Sequence, residues 1–386
     1  MKILHTVEFY SPSVGGAQEV IKQVSEQLVK RGHEVTVATK KLPDRTSCII
    51  NGVNIEAFGI SGNEVYGFHG ETGRYQEFLL KGDFDLMMNY AAQQWATDLA
   101  FYLLDRIPYR KVLAPCGFSG LFDPAYNHYF SHMEKNLEKY DQLIFHSNKY
   151  KDIDFCRKHG IISYTVIPNG ALEEEFNKKD STFRQRYGIP EDVQILLTVG
   201  SHTGEKGHSL AMKAFSRARI GKSVLIIIGN VFPGSMGCLP SCKRRANWIN
   251  LISRGLKRVI LLNPVRSDVV AAYHAADLFI FGSNIECSPL VLFEAMASKT
   301  PFITVACGNA EEITSWGHGG IVIPTINEPK GKVDADPKVL ARAIEGLINA
   351  PEERQKLAEA GYRAWKDRFT WEKIVLEYER VYEAVL

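Results

Sequence analysis

The chain has 386 residues, 45% of them hydrophobic, with 46 Lys and Arg against 44 Asp and Glu and a formal charge of +2. That length exceeds one ordinary core and predicts two domains of roughly 150–200 residues each. The near-neutral balance, without a basic arm or stripe, argues against a nucleic-acid partner, and no apolar run reaches the about 18 residues that span a bilayer.

The opening MKILHTVEFYSPSVGG carries one Lys and a short apolar run broken by His5, Glu8 and Pro12. It reads as a strand and not as a signal peptide, so a cytoplasmic protein is expected. Seven cysteines, odd in number and scattered, suit reduced thiols. The strand KILHTV is followed by AQEVIKQVSEQLVKRG, where Val20, Ile21, Val24, Leu28 and Val29 mark the stripe of a surface helix ending at Gly32. Between strand and helix stand Gly15 and Gly16, which give backbone N–H groups room to approach a phosphate; a plain tight turn is the equal alternative, and the G-x-G-x-x-G of dinucleotide binders is absent. HEVTVAT, FDLMMNY, KVLAP and QLIFHS continue the strand–helix alternation of a parallel sheet covered by helices. At the end of FDLMMNY, strand logic points Asn89 and Tyr90 toward the ligand side of the sheet, where they meet an acceptor or pack a loop.

After YTVIPNG the chain turns polar in ALEEEFNKKDSTFRQRYGIPED, and QILLTVG, SVLIIIG, RVILLN and DLFIFG restart a sheet. The boundary falls at 168–170, giving an N-terminal domain over 1–168 and a C-terminal domain over 169–369 that face one another across a cleft at the carboxyl ends of their strands. In TVGSHTGEKGHSLAMKAF, Lys206 sits in a Gly-flanked loop where a cation can hold a diphosphate leaving group. GCLPSCKRR pairs Cys238 and Cys242 as C-x₃-C, but with no second His or Cys pair nearby it reads as loop thiols, and no metal site is expected. The terminal FTWEKIVLEYERVYEAVL carries Trp371, Ile374, Leu376, Tyr378, Val381 and Tyr382 as the stripe of a packed amphipathic helix.

The stretch NIECSPLVLFEAMASKTPF places Ser288 in the N-cap position and Pro289 at N1 of a helix, with Glu286 in the turn before it and Glu294 on its second turn. If both were helical, the glutamates would lie up to about 12 Å apart, beyond the about 5–9.5 Å of paired glycosidase carboxylates. They are not an acid/base couple. The free N–H groups between them form an anion site, and an elongated ligand fits the order: one polar end at Glu286, phosphates over the helix start, hydroxyls at Glu294. A sugar–diphosphate–ribose has that order; the alternative is a mere cap and a helix-surface carboxylate.

The set GGAQEV, RGHEVTV, VIPNGALEEEF, VGSHTGEKG, RVILLNPV, AADLFIFGSNIECSPLVLFEAMASKTPFI and FTWEKIVLEYERVY spans nearly the whole chain. In that order it resembles the retaining GT-B glycosyltransferases of glycosyltransferase family 4. The resemblance implies an α/β GT-B fold of two Rossmann-like domains, with a C-terminal helix of about 370–386 returning to the N-terminal, acceptor-side domain. It places Glu286 beside the donor sugar, Glu294 on the ribose hydroxyls, the N–H groups near Leu290 and Val291 on the diphosphate, and Lys206 on the departing phosphate. Gly15 and Gly16 would close over the diphosphate, and the loop around Val265 would contact the base.

The implied chemistry is metal-independent transfer with retention, without a cofactor. The donor would be a nucleotide-diphosphate sugar, UDP in preference to GDP. The acceptor would be a glycan or lipid-linked glycan of cell-surface polysaccharide synthesis, with weak peripheral contact at the inner membrane face. Two positions depart from the family pattern: Ser201-His202 replaces a customary Arg, for which His202 or Lys243, Arg244 and Arg245 could compensate, although that basic run reads more readily as a solvated face, and Cys116 stands where many members have His at the sugar side. The competing readings are a sugar-nucleotide epimerase or phosphorylase on the same scaffold, and a non-catalytic sugar-nucleotide-binding module.

Overall fold

A computed structural model describes every residue except Pro233. The chain divides into two units, Met1–Asn169 with Trp371–Leu386, and Gly170–Thr370.

In the first unit eight strands lie in the order Tyr164–Val166, Gln142–Phe145, Arg110–Ala114, Leu86–Tyr90, Lys2–Thr6, Glu34–Lys40, Val53–Phe58 and Ile49–Ile50. Every pairing is parallel except that of the short last strand. Helices cover both faces of such a sheet, which is why Leu86–Tyr90 is buried at every position and shows no polar alternation. Numbered along the chain, the parallel strands run 3-2-1-4-5-6-7, so the winding reverses between Lys2–Thr6 and Leu86–Tyr90. The stretch SGNEVYGFHGETGRYQEF, which carries no code in sequence, forms the hairpin Ile60–Asn63/Gly67–Gly70 and the helix Thr72–Lys81. Gly62 and Gly70 are required there: each has positive φ, and a Cβ would meet a facing carbonyl oxygen at 1.9 Å.

The terminal helix Trp371–Val385 packs on this unit. Its buried face is Trp371, Ile374, Val375, Tyr378, Val381 and Tyr382, with Val375 where the sequence stripe put Leu376. Burying six such side chains contributes on the order of 10 kcal/mol before ordering costs are subtracted. His5 fixes the register: Nε2 is 3.0 Å from the Tyr382 hydroxyl and Nδ1 is 2.7 Å from Ser25 Oγ. Burial pushes the His5 imidazole down to about 3, so it is neutral and able both to donate and to accept. At the rim Glu379 meets Arg31 at 2.6 Å and His33 at 2.7 Å.

The second unit has six parallel strands in the order Lys257–Leu262, Ser223–Ile228, Gln194–Val199, Leu278–Phe281, Phe302–Val305 and Gly320–Ile323. Its strand sequence is 3-2-1-4-5-6, so the reversal lies between Gln194–Val199 and Leu278–Phe281. The loops leaving those neighbouring strand ends, 200–207 and 282–289, are forced side by side at the place where such sheets bind ligands.

Candidate functional site

The two loops are bonded to each other. Asn284 N donates to Glu205 O at 2.7 Å and Ser283 Oγ to the same carbonyl at 3.1 Å. Gly207 has φ +71, and a Cβ there would lie 1.9 Å from Gly282 O, so only glycine permits the approach. Lys206, beside it, meets Glu286: Nζ to Oε1 is 2.5 Å, and Glu286 also accepts from Ser283 Oγ at 3.1 Å. Both side chains remain partly accessible, at 30% and 18%. The strand topology thus joins two groups that lie 80 residues apart in the chain.

The following helix spans Leu290–Ala297. It starts one residue later than expected: Pro289 occupies the N-cap position, and no side chain caps the helix. Ser288 is therefore not the cap. Its hydroxyl accepts from Asn309 Nδ2 at 3.2 Å, because the backbone of Gly308-Asn309 presses against 286–287. Asn309 N donates to Cys287 O at 2.9 Å, and a Cβ on Gly308 would lie 2.6 Å from that oxygen. Gly308 and Asn309 are site residues that sequence reasoning missed; the Gly-Asn pair before the helix Ala310–Gly317 is the only local signal. The N–H groups of Leu290 and Val291 lie in the uncapped first turn, at the positive end of the helix dipole.

Glu294 is nearly buried, and Arg266 Nη2 meets its Oε1 at 2.6 Å. The same guanidinium bonds Glu175 at 2.7 Å. A carboxylate has about four acceptor positions, so Glu294 retains capacity for ligand hydroxyls. Val265 precedes the helix Arg266–Ala275 and is 70% exposed, an apolar edge next to these charges. Arg266 and Glu175 were not anticipated, although Arg266 adjoins Val265 in the motif RVILLNPV.

Ser201 donates to Asn230 Oδ1 at 2.6 Å. His202, expected to face a diphosphate, is instead buried, with Nδ1 3.5 Å from Cys238 Sγ and its ring against His208. The reading of Cys238 and Cys242 as a pair without partners is also corrected, since His202 and His208 converge on them.

In the first unit, Gly15 precedes the helix Gly16–Lys30, whose start is likewise uncapped. Asn89 does not face an acceptor. It is fully buried, donating to Thr6 Oγ1 at 2.6 Å and accepting from the Tyr140 hydroxyl at 2.7 Å, so the packing alternative holds. Tyr90 is buried too, its hydroxyl 3.1 Å from His146 Nε2, while His146 Nδ1 pairs with Ile167 O at 2.9 Å. Cys116 Sγ lies 3.8 Å from the Tyr90 hydroxyl. Cys116, Gly117 and Phe118 take positive φ in succession, and Ala91 and Gln93 take positive φ in the neighbouring loop. Strained backbone of this kind persists only where the surroundings enforce it. Part of that enforcement is Asp98, pushed up to about 7 by burial although it accepts from the Tyr129 hydroxyl at 2.8 Å and from Glu64 N at 3.1 Å. Across the reversal point, Glu8 N donates to Gln94 Oε1 at 2.6 Å.

Two family profiles match the chain: "Glycosyltransferase Family 4" over residues 14–171 and "Glycosyl transferases group 1" over residues 179–364. It is similar to N-acetyl-alpha-D-glucosaminyl L-malate synthase of Bacillus anthracis, at 24% identity over 97% of this chain and 95% of the relative. It is similar to the lipopolysaccharide glucosyltransferase WaaG of Escherichia coli K12, at 22% identity over 80% of this chain and 82% of the relative. The fold matches that of Anabaena HepE, solved in complex with UDP-glucose, with a TM-score of 0.77 at 15% identity over the full length of both chains. Among the described residues no helix is long and apolar enough to cross a membrane.

Proposed function

We propose that the chain, which belongs to the glycosyltransferases matched by the Glycosyltransferase Family 4 and Glycosyl transferases group 1 profiles and has the GT-B architecture, is a retaining transferase that needs no divalent metal for the transfer step. The donor is a nucleotide-diphosphate sugar, UDP in preference to GDP, and the acceptor a glycan or lipid-linked glycan of cell-surface polysaccharide synthesis. The observation that carries this reading is the Lys206–Glu286 pair, 2.5 Å apart and joined through Glu286 to the uncapped helix that bears Glu294.

In the transfer, the bond between the anomeric carbon and the β-phosphate oxygen breaks. The acceptor oxygen bonds that carbon from the same face, and its proton passes to the departing phosphate. Negative charge grows on the diphosphate, where the Lys206 ammonium and the N–H groups of Leu290 and Val291 offset it. Glu286 holds the Lys206 ammonium and offers its remaining acceptor capacity to the sugar hydroxyls. Glu294, oriented by Arg266, accepts from the ribose. Two similar proteins support the substrate classes: HepE is solved in complex with UDP-glucose, and WaaG is named a lipopolysaccharide glucosyltransferase.

The test is incubation with a panel of UDP- and GDP-sugars in the presence of lipid-linked and free glycans, with and without added Mg²⁺, reading nucleoside diphosphate release and the anomeric configuration of the product. Release from UDP-sugars without added Mg²⁺ and a retained anomer are expected. An inverted anomer, or activity only with Mg²⁺, contradicts the proposal.

A further inference from the structure

We propose that His202, His208, Cys238 and Cys242 form a structural zinc site in the Gly170–Thr370 unit. One ligand atom from each residue lies within 4.8 Å of the other three. Cys238 Sγ is 3.7 Å from Cys242 Sγ, 3.5 Å from His202 Nδ1 and 3.8 Å from His208 Nδ1. With Zn–S of about 2.3 Å and Zn–N of about 2.0–2.1 Å, a tetrahedral site has sulfur–sulfur edges of about 3.8 Å and sulfur–nitrogen edges of about 3.6 Å. The three separations at Cys238 match those edges, and the remaining ones lie within 4.8 Å; disulfide sulfurs would be about 2.05 Å apart.

The backbone is shaped to bring the four together. Cys238 precedes the helix Leu239–Ile252 and Cys242 follows one turn on, so both sulfurs share one face. His208 opens the helix His208–Arg217, and its ring lies 4.7 Å from that of His202. Gly237 has φ +47, and a Cβ there would lie 1.5 Å from His202 O, so glycine alone lets the turn before Cys238 close onto the histidine. Cys238 N donates to that same carbonyl at 3.0 Å.

His202, His208 and Cys242 are at most 3% exposed and Cys238 is half-buried, so the cluster is largely shielded from solvent. On binding, the two thiols release two protons, and Zn²⁺ with two thiolates and two neutral imidazoles leaves no net charge, the balance a buried site tolerates. Tetrahedral S₂N₂ coordination selects zinc over magnesium or calcium. Four protein ligands leave no open position, so the ion takes no part in bond making. Its effect is to fasten the 201–207 loop, on which Lys206 stands, to the start of the Leu239–Ile252 helix. The site stands on its own geometry and does not depend on the glycosyltransferase reading.

The test is elemental analysis of the untagged full chain purified without chelator, beside Cys238→Ser and Cys242→Ser. About one zinc per chain is expected in the parent and less than about a tenth in either variant, with a lower melting temperature after chelation of the parent. In case the variants fail to fold, cobalt replaces zinc in the parent chain, and thiolate-to-cobalt charge-transfer absorption reports sulfur ligation directly. Zinc absent from the parent, zinc retained in both serine variants, or cobalt bound without the thiolate band overturns the proposal.

Discussion

The two units place the reversal of their strand order in equivalent positions, yet fill it with opposite chemistry. In the second unit the adjoining loops carry Lys206 with Glu286 at 2.5 Å, both partly open to solvent, and beyond them, on helices, Arg266 meets the nearly buried Glu294 at 2.6 Å. In the first unit the same position holds buried polar networks: Asn89 between Thr6 and Tyr140, Tyr90 on His146, and Asp98 on Tyr129. Partly exposed charges such as Lys206 and Glu286 can exchange partners with a charged ligand at a smaller desolvation cost, whereas buried networks lose a full bond when disturbed. The second unit is therefore suited to grip a diphosphate, and the first to hold a fixed shape.

The strongest break of this contrast is Lys206→Ala. Removing one preorganised cation from the developing charge should lower turnover about 10²–10³-fold, with the melting temperature little changed. Next is Glu294→Ala, which strips the ribose acceptor and leaves Arg266 to Glu175 alone; UDP affinity should weaken about 10- to 100-fold in calorimetry, equivalent to about 1.4–2.7 kcal/mol. In the first unit the direction reverses. Asn89→Ala leaves Thr6 and Tyr140 short of a partner and should cost about 1–3 kcal/mol of unfolding free energy in denaturant titration, with UDP affinity unchanged.

The smallest effect is in pH dependence. Asp98 has its folded value pushed up to about 7 against an ordinary 3.8, so the folded chain holds the extra proton between those limits. Its contribution to stability is full below about 4 and is lost as pH rises through about 7. Thermal melts across that window should show a decline that Asp98→Asn flattens, and an unaltered slope in the variant would mean that another group titrates there.

The same contrast explains what was legible in the sequence. The strand–helix alternation and the restart after YTVIPNG were readable because apolar runs and turn residues act locally. Glu286, Glu294 and Lys206 were singled out by the family resemblance together with their loop and helix-start positions, since a helix start draws carboxylates for purely structural reasons as well. Asn89 was misplaced because period-2 logic gives a face but not the Tyr140 hydroxyl that covers it. The four-residue cluster escaped because its halves, H-x₅-H and C-x₃-C, lie 30 and 36 residues apart at the Cys238 contacts and meet only through the parallel pairing of Gln194–Val199 with Ser223–Ile228. Each half is weak alone. Reading the two loops of one strand–helix–strand unit together would have joined them.

The most direct test of the account is a calorimetric titration of UDP into the parent chain, Lys206→Ala, Glu294→Ala and Asn89→Ala under one buffer without added Mg²⁺. The account predicts binding to the parent and to Asn89→Ala with the same affinity, and weakened binding to the two second-unit variants. Equal affinity in Lys206→Ala and Glu294→Ala, or a loss confined to Asn89→Ala, would contradict the assignment of the donor nucleotide to the Gly170–Thr370 unit.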